Sequence, residues 1–196
     1  MELNKKEFGK EYYDRYYKES EGYRLHYSKL KYYGMWKVAV GLCRNKVFEI
    51  GCGSGQFANM VSDAKKEYYG FDISKEAIGI AVSLNLPYTQ FDIREFGHYI
   101  RYPQGYDTYI AFEILEHVKD DLGLLMRIPD KKFTIFTVPT FDYKSHVRLF
   151  KNETEIIQRY KGIIKFTEIE KFDKWFLCYG TRRVSSCGGR CGKVCR

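Results

Sequence analysis

No apolar run in this chain approaches the roughly 18–20 residues that a membrane-spanning helix needs. The longest candidate, Met35 to Cys43, is short and carries Lys37. The opening stretch, MELNKKEFGK, mixes acids with bases around no apolar core and does not read as a secretory signal. These two absences predict a soluble, intracellular, cytoplasmic protein. The paired C-x-x-C knuckle of common zinc sites is missing too. The six cysteines are therefore expected to be thiols. Cys187, Cys191 and Cys195, crowded into SCGGRCGKVCR, read as part of a flexible tail. Neither an internal repeat nor a linker interrupts the chain. One domain, 1–196, is expected, with an N-terminal helical lid (1–46), a core (47–181) and a basic Cys/Gly tail (182–196).

What is present fits a folded core. Apolar residues make up 44% of 196 and aromatics 17%, which excludes a disordered chain. Of the net charge of +8, five come from Arg182, Arg183, Arg190, Lys193 and Arg196, leaving +3 for the rest. The first 46 residues hold eleven bases against six acids. Two basic ends suit a solvated surface, with a phosphate-bearing partner as the alternative.

From residue 47 onward, strand-like runs alternate with helix-like segments. Strands are predicted at 47–50, 67–71, 88–91, 108–112 and 132–138, with helices at 56–65, 75–83 and 120–126. This rhythm implies a parallel sheet. After Pro139 a helix is predicted over 152–160. Runs at 162–169 and 174–181 then form an antiparallel hairpin at the sheet edge. Upstream, Phe8, Tyr12 and Tyr16 recur every four positions, and Tyr23, Tyr27 and Leu30 continue in helical steps. Eight tyrosines fall between positions 12 and 33, so this stripe is expected to pack on the sheet or, as the alternative, to face a substrate.

The stretch VFEIGCGSGQF places three glycines within five positions after an apolar run. It is not the dinucleotide fingerprint G-x-G-x-x-G, because Gln56 stands where the third glycine belongs, and no Gly-Lys-Ser/Thr follows as in a phosphate loop. An acid at the strand end followed by G-x-G-x-G resembles the first motif of class I S-adenosylmethionine (SAM)-dependent methyltransferases. YYGFDIS supplies Asp72, 21 residues after Gly51, and QFDIREF supplies Asp92 after the third predicted strand.

The resemblance implies a Rossmann-like, doubly wound α/β fold. Its sheet would be seven-stranded and mostly parallel, with an antiparallel C-terminal hairpin and extra N-terminal helices. SAM would be the cofactor. Glu49 would meet the positive end of its methionine moiety, and Gly51, Cys52, Gly53 and Gln56 would form the loop. Asp72 would hold the ribose hydroxyls and Asp92 the adenine amino group, with Ile73 and Ile93 on the adenine faces. Phe112 would stand at the fourth strand's end. YDTYIAFEILEHVKDD and FTIFTVPTFDYKSHVRLF resemble the small-molecule branch, which includes methyltransferases of quinone precursors.

A methyl acceptor with a hydroxyl needs a base. His117 and Glu113 are the candidate catalytic residues; if this segment is helical, their spacing puts them with Glu116 on one face. The preferred reading has a small-molecule oxygen acceptor and no metal. One alternative resembles RNA-terminal 2′-O-methyltransferases, whose Glu-x-x-Glu-His and later histidine would be Glu113, Glu116, His117 and His146 around a divalent ion. Another is a SAM-binding module without catalysis.

Overall fold

A computed structural model describes residues 2–184. The cysteine-rich tail proposed from the sequence lies outside the described residues. Seven strands form one sheet in the order β3-β2-β1-β4-β5-β7-β6. They are β1 Lys46–Ile50, β2 Glu67–Asp72, β3 Thr89–Ile93, β4 Thr108–Ala111, β5 Phe133–Pro139, β6 Ile164–Phe172 and β7 Trp175–Arg182. The first five are parallel, and β7 joins β5 and β6 antiparallel. The expected sheet and hairpin are therefore present.

Alternation along the strands builds two cores. Val47, Ile110, Ile135 and Leu177 point to one face, where they meet α2 (Tyr33–Leu42) and α3 (Gln56–Asp63) through Trp36 and Phe57. Phe48, Tyr109, Phe136 and Cys178 point to the other, where they meet α5 (Asp121–Met126) and α6 (Glu153–Tyr160). Helix α4 (Lys75–Ser83) starts at Ser74, whose side chain caps the Ala77 N–H, and packs beside α1 (Lys10–Glu19).

The helical steps from Tyr23 to Leu30 do not form an α-helix. Two single 3-10 turns, Glu21–Arg24 and Tyr27–Lys29, stand there instead. The Gln56 amide takes the carbonyls of Gly22 (3.2 Å) and Leu25 (2.8 Å), acceptors a continuous helix would have used internally. Among the described residues, no helix is long and apolar enough to cross a membrane.

Candidate active site

The carboxyl ends of β1, β2 and β4 open into a cavity of about 270 Å³. Its floor begins at the glycine loop. Gly51 and Gly53 have φ of +70° and +54°, a left-handed backbone that side chains resist. A Cβ on Gly51 would overlap Ile114, and one on Gly53 would lie 2.7 Å from the Tyr17 hydroxyl. The loop is pinned to β2 by the Gly51 and Cys52 N–H groups, which donate to the Phe71 carbonyl at 2.8 and 3.0 Å.

Two buried acids face this floor. Asp72 accepts from the N–H groups of Gly53 (3.0 Å) and Ser74 (2.9 Å), and burial pushes its pKa up to about 6 despite those donors. Glu49 accepts the phenol proton of Tyr68, and burial pushes it up to about 8. Gly70 makes that pairing possible, since a Cβ there would lie 2.6 Å from the Tyr68 oxygen. Tyr68 was not foreseen from the sequence; its position two residues before a glycine on the neighbouring strand was the available signal.

Of the residues named from the sequence, Glu49, Gly51, Cys52, Gly53, Gln56, Asp72, Ile73, Phe112, Glu113 and His117 line the cavity. Phe112 stacks on Trp36 and meets Phe57 edge-on. Asp92 and Ile93 are not among the lining residues. Alternation sends Asp92 to the face of Tyr69, where Arg94 holds it at 2.7 Å, while Ile93 is 49% exposed. Phe96 and Ile114 line the cavity in their stead.

The segment after β4 is a turn, so the helical condition for Glu113, Glu116 and His117 sharing a face is not met. Glu113 itself has φ +54°, and its N–H donates to Thr137 Oγ1 at 2.8 Å. Its carboxylate is fully engaged, accepting from Trp175 Nε1 (2.8 Å), Thr137 Oγ1 (3.0 Å) and the Tyr32 hydroxyl (3.4 Å). Those bonds fix it as an anchor, and burial outweighs them in raising its pKa.

Glu116 is the opposite case. It is fully buried, neither carboxyl oxygen has a hydrogen-bond partner, and burial with the neighbouring Glu113 raises its pKa strongly. Its ligand oxygen and one nitrogen each from His117 and His146 lie within 4.8 Å of one another. His117 Nδ1–H donates to the Ser145 carbonyl (3.0 Å) and His146 Nδ1–H to that of Phe141 (3.1 Å). Each Nε2 thus keeps a free lone pair. Burial lowers His117 to about 4, so it is neutral at pH 7 and its 4.0 Å approach to Glu116 is no ion pair.

Arg148, 1% exposed, holds this turn from behind. Its guanidinium donates to the carbonyls of Leu115, Val118 and Lys119, and lies 3.4 Å from Asp121. The Val147 N–H donates to the Glu116 carbonyl at 2.7 Å. Nothing in KSHVRLF announces that role.

The sequence profile described as "Methyltransferase domain" matches residues 28–180. The chain belongs to the class I SAM-dependent methyltransferases. Over 91 residues this methyltransferase is 32% identical to the ubiquinone biosynthesis O-methyltransferase of Proteus mirabilis, across 44% of the chain and 37% of that relative. The Aliivibrio fischeri enzyme of the same name is 31% identical over 93 residues, 44% of the chain and 39% of the relative. The matches thus span under two-fifths of these relatives' length.

Solved structures share the fold. Magnesium protoporphyrin IX methyltransferase from Synechocystis with bound SAM superposes with a TM-score of 0.65 at 16% identity, covering 92% of this chain and 100% of that one. PH0226 from Pyrococcus horikoshii gives 0.68 at 15% identity, covering 86% and 99%. The cavity's own chemistry suits the family's cofactor: two buried carboxylates, a loop that glycines keep low, and an unpartnered buried Ser54 hydroxyl.

Proposed function

We propose that this methyltransferase moves a methyl group from SAM to an oxygen, rather than a nitrogen, of a small-molecule acceptor. One observation carries the reading: Glu49 and Asp72 face the same cavity as the neutral imidazole of His117. SAM, when bound, supplies a methyl on a cationic sulfur whose thioether is a good leaving group. Glu49 receives the cofactor's cationic amino end, Asp72 accepts from its ribose diol, and Gly51 and Gly53 keep the floor low. His117 Nε2 takes the acceptor's hydroxyl proton while Ser145 holds the ring through Nδ1. Tyr12, Tyr13, Tyr16, Tyr17 and Tyr23 of the N-terminal segment line the cavity as its roof; excluding water behind them and aligning the reactants supply several kcal/mol of the acceleration. The O-methyltransferase relatives support oxygen as the acceptor atom.

Calorimetry tests the cofactor half. Asp72→Ala is expected to weaken SAM affinity at least tenfold, and an unchanged affinity refutes the assignment. Release of S-adenosylhomocysteine on adding cell extract separates an enzyme from a mere binding module. RNA binding that falls steeply with salt would transfer the assignment to a nucleic-acid acceptor.

A second reading is favoured by the orphaned carboxyl of Glu116. Glu116, His117 and His146 form a mixed oxygen/nitrogen set suited to a divalent ion, which would lower the pKa of a hydroxyl bound to it. Glu113, tied to Trp175 and Thr137, would not join them. Under this reading Mn2+ or Zn2+ raises the melting temperature of the wild type but not of Glu116→Gln. If neither chelation nor added ions change stability or turnover, the cation reading is dead.

A further inference from the structure

Among the described residues lining the cavity, Lys31 is the only lysine or arginine. It stands just before α2, exposed at the mouth. Its ammonium lies 4.6 Å from the ring centre of Trp175 and 5.0 Å from that of Tyr32, so cation–π contacts hold it in place. Among the described residues no carboxylate comes within ion-pairing distance of it. Glu113, whose charge it feels, is already taken by three other donors.

An unbroken series of ring contacts leads from this cation to the proposed base. Trp175 meets Phe141 edge-on at 5.4 Å, Phe141 meets His146 at 5.3 Å, and His146 meets His117 at 5.0 Å. A phenol stands on the same side: Tyr143 meets His146 at 5.7 Å. One side of the cavity is therefore aromatic between a free cation and a neutral imidazole.

Resting on the methyltransferase reading, we propose that the acceptor is an aromatic hydroxy acid, with Lys31 as the residue that selects it. The carboxylate pairs with the Lys31 ammonium, supported by phenol donors. The ring lies along Phe141 and His146, and the hydroxyl to be methylated faces His117. Among the described residues of the lining, Lys31 alone carries a charge that could neutralise such a carboxylate, the other ionisable side chains being acids, phenols, a thiol and imidazoles.

The test measures binding of 4-hydroxybenzoate and 4-hydroxybenzamide, equal in shape but not in charge, to the protein loaded with S-adenosylhomocysteine. Loading itself reports the cofactor reading, so the two failures are told apart. The acid is expected to bind at least tenfold more tightly than the amide. Lys31→Met should abolish the preference and Lys31→Arg should keep it, with S-adenosylhomocysteine affinity unchanged in both. Equal binding of the two compounds, binding of neither up to millimolar concentration, a preference that survives in Lys31→Met, or its loss in Lys31→Arg each overturns the proposal.

Discussion

Two turns leave neighbouring strands at the same sheet edge, and they are built in opposite ways. The turn after β1 is shaped by its backbone: small residues take left-handed angles and two N–H groups lock it to β2. The turn after β4 is shaped by side chains from elsewhere. Thr137 and Trp175 fasten Glu113, Ser145 orients His117, and Arg148 caps three carbonyls. On the proposed reading the first holds the cofactor common to the family and the second faces the acceptor, which would let its support come from parts of the chain free to differ.

The largest expected effect strikes the second turn. Arg148→Met strips a buried guanidinium from its carbonyls and from Asp121, and should cost about 3–5 kcal/mol in denaturant unfolding. A loss below about 1 kcal/mol would show that the turn stands without its support. Gly51→Ala joins the two turns, because the added methyl meets Ile114. It should destabilise the fold by about 1–3 kcal/mol and weaken SAM binding. Pairing it with Ile114→Ala should recover the overlap part but not the left-handed strain, and a double-mutant cycle separates the two.

Glu49 gives the first turn a pH signature. Its folded pKa of about 8 stands above the ordinary carboxylate value of 4.5. The native state therefore holds a proton that the unfolded chain releases. Its contribution is complete below about 4.5 and is lost as pH rises through 8. Glu49→Gln should flatten stability across that window. In calorimetry, SAM binding at pH 7 should release a proton from the wild type and not from this variant. The smallest change is expected from Glu113→Gln, which keeps an acceptor for Trp175. A loss of about 1 kcal/mol with a shift in tryptophan emission is anticipated, and a collapse of turnover without such a shift would restore Glu113 as a base.

This contrast explains what could be read in advance. Strand runs such as Val47–Ile50 and Phe133–Pro139 are visible because buried parallel strands need continuous apolar residues. Gly51, Gly53 and Asp72 are visible because backbone angle and crossover length constrain them locally. Asp92 stands outside the cavity lining because spacing along a strand does not reveal which face an edge residue takes; Arg94, two residues on, holds it. The turn at Glu113–His117, where a helix would have put the three side chains on one face, was hidden for a similar reason. Its four-residue spacing is local, whereas Thr137, Ser145 and Arg148 lie 20 to 35 residues downstream. Tyr23 to Leu30 carried helical spacing, yet Gln56 captured the carbonyls that would have propagated it.

Tyr17 reaching down onto Gly53 has an evolutionary corollary. Roof and floor fit each other as a matched pair, so neither position is free to drift alone. A lineage that enlarges residue 53 must shorten residue 17 in step, and paired change at these two sites is the trace such descent would leave.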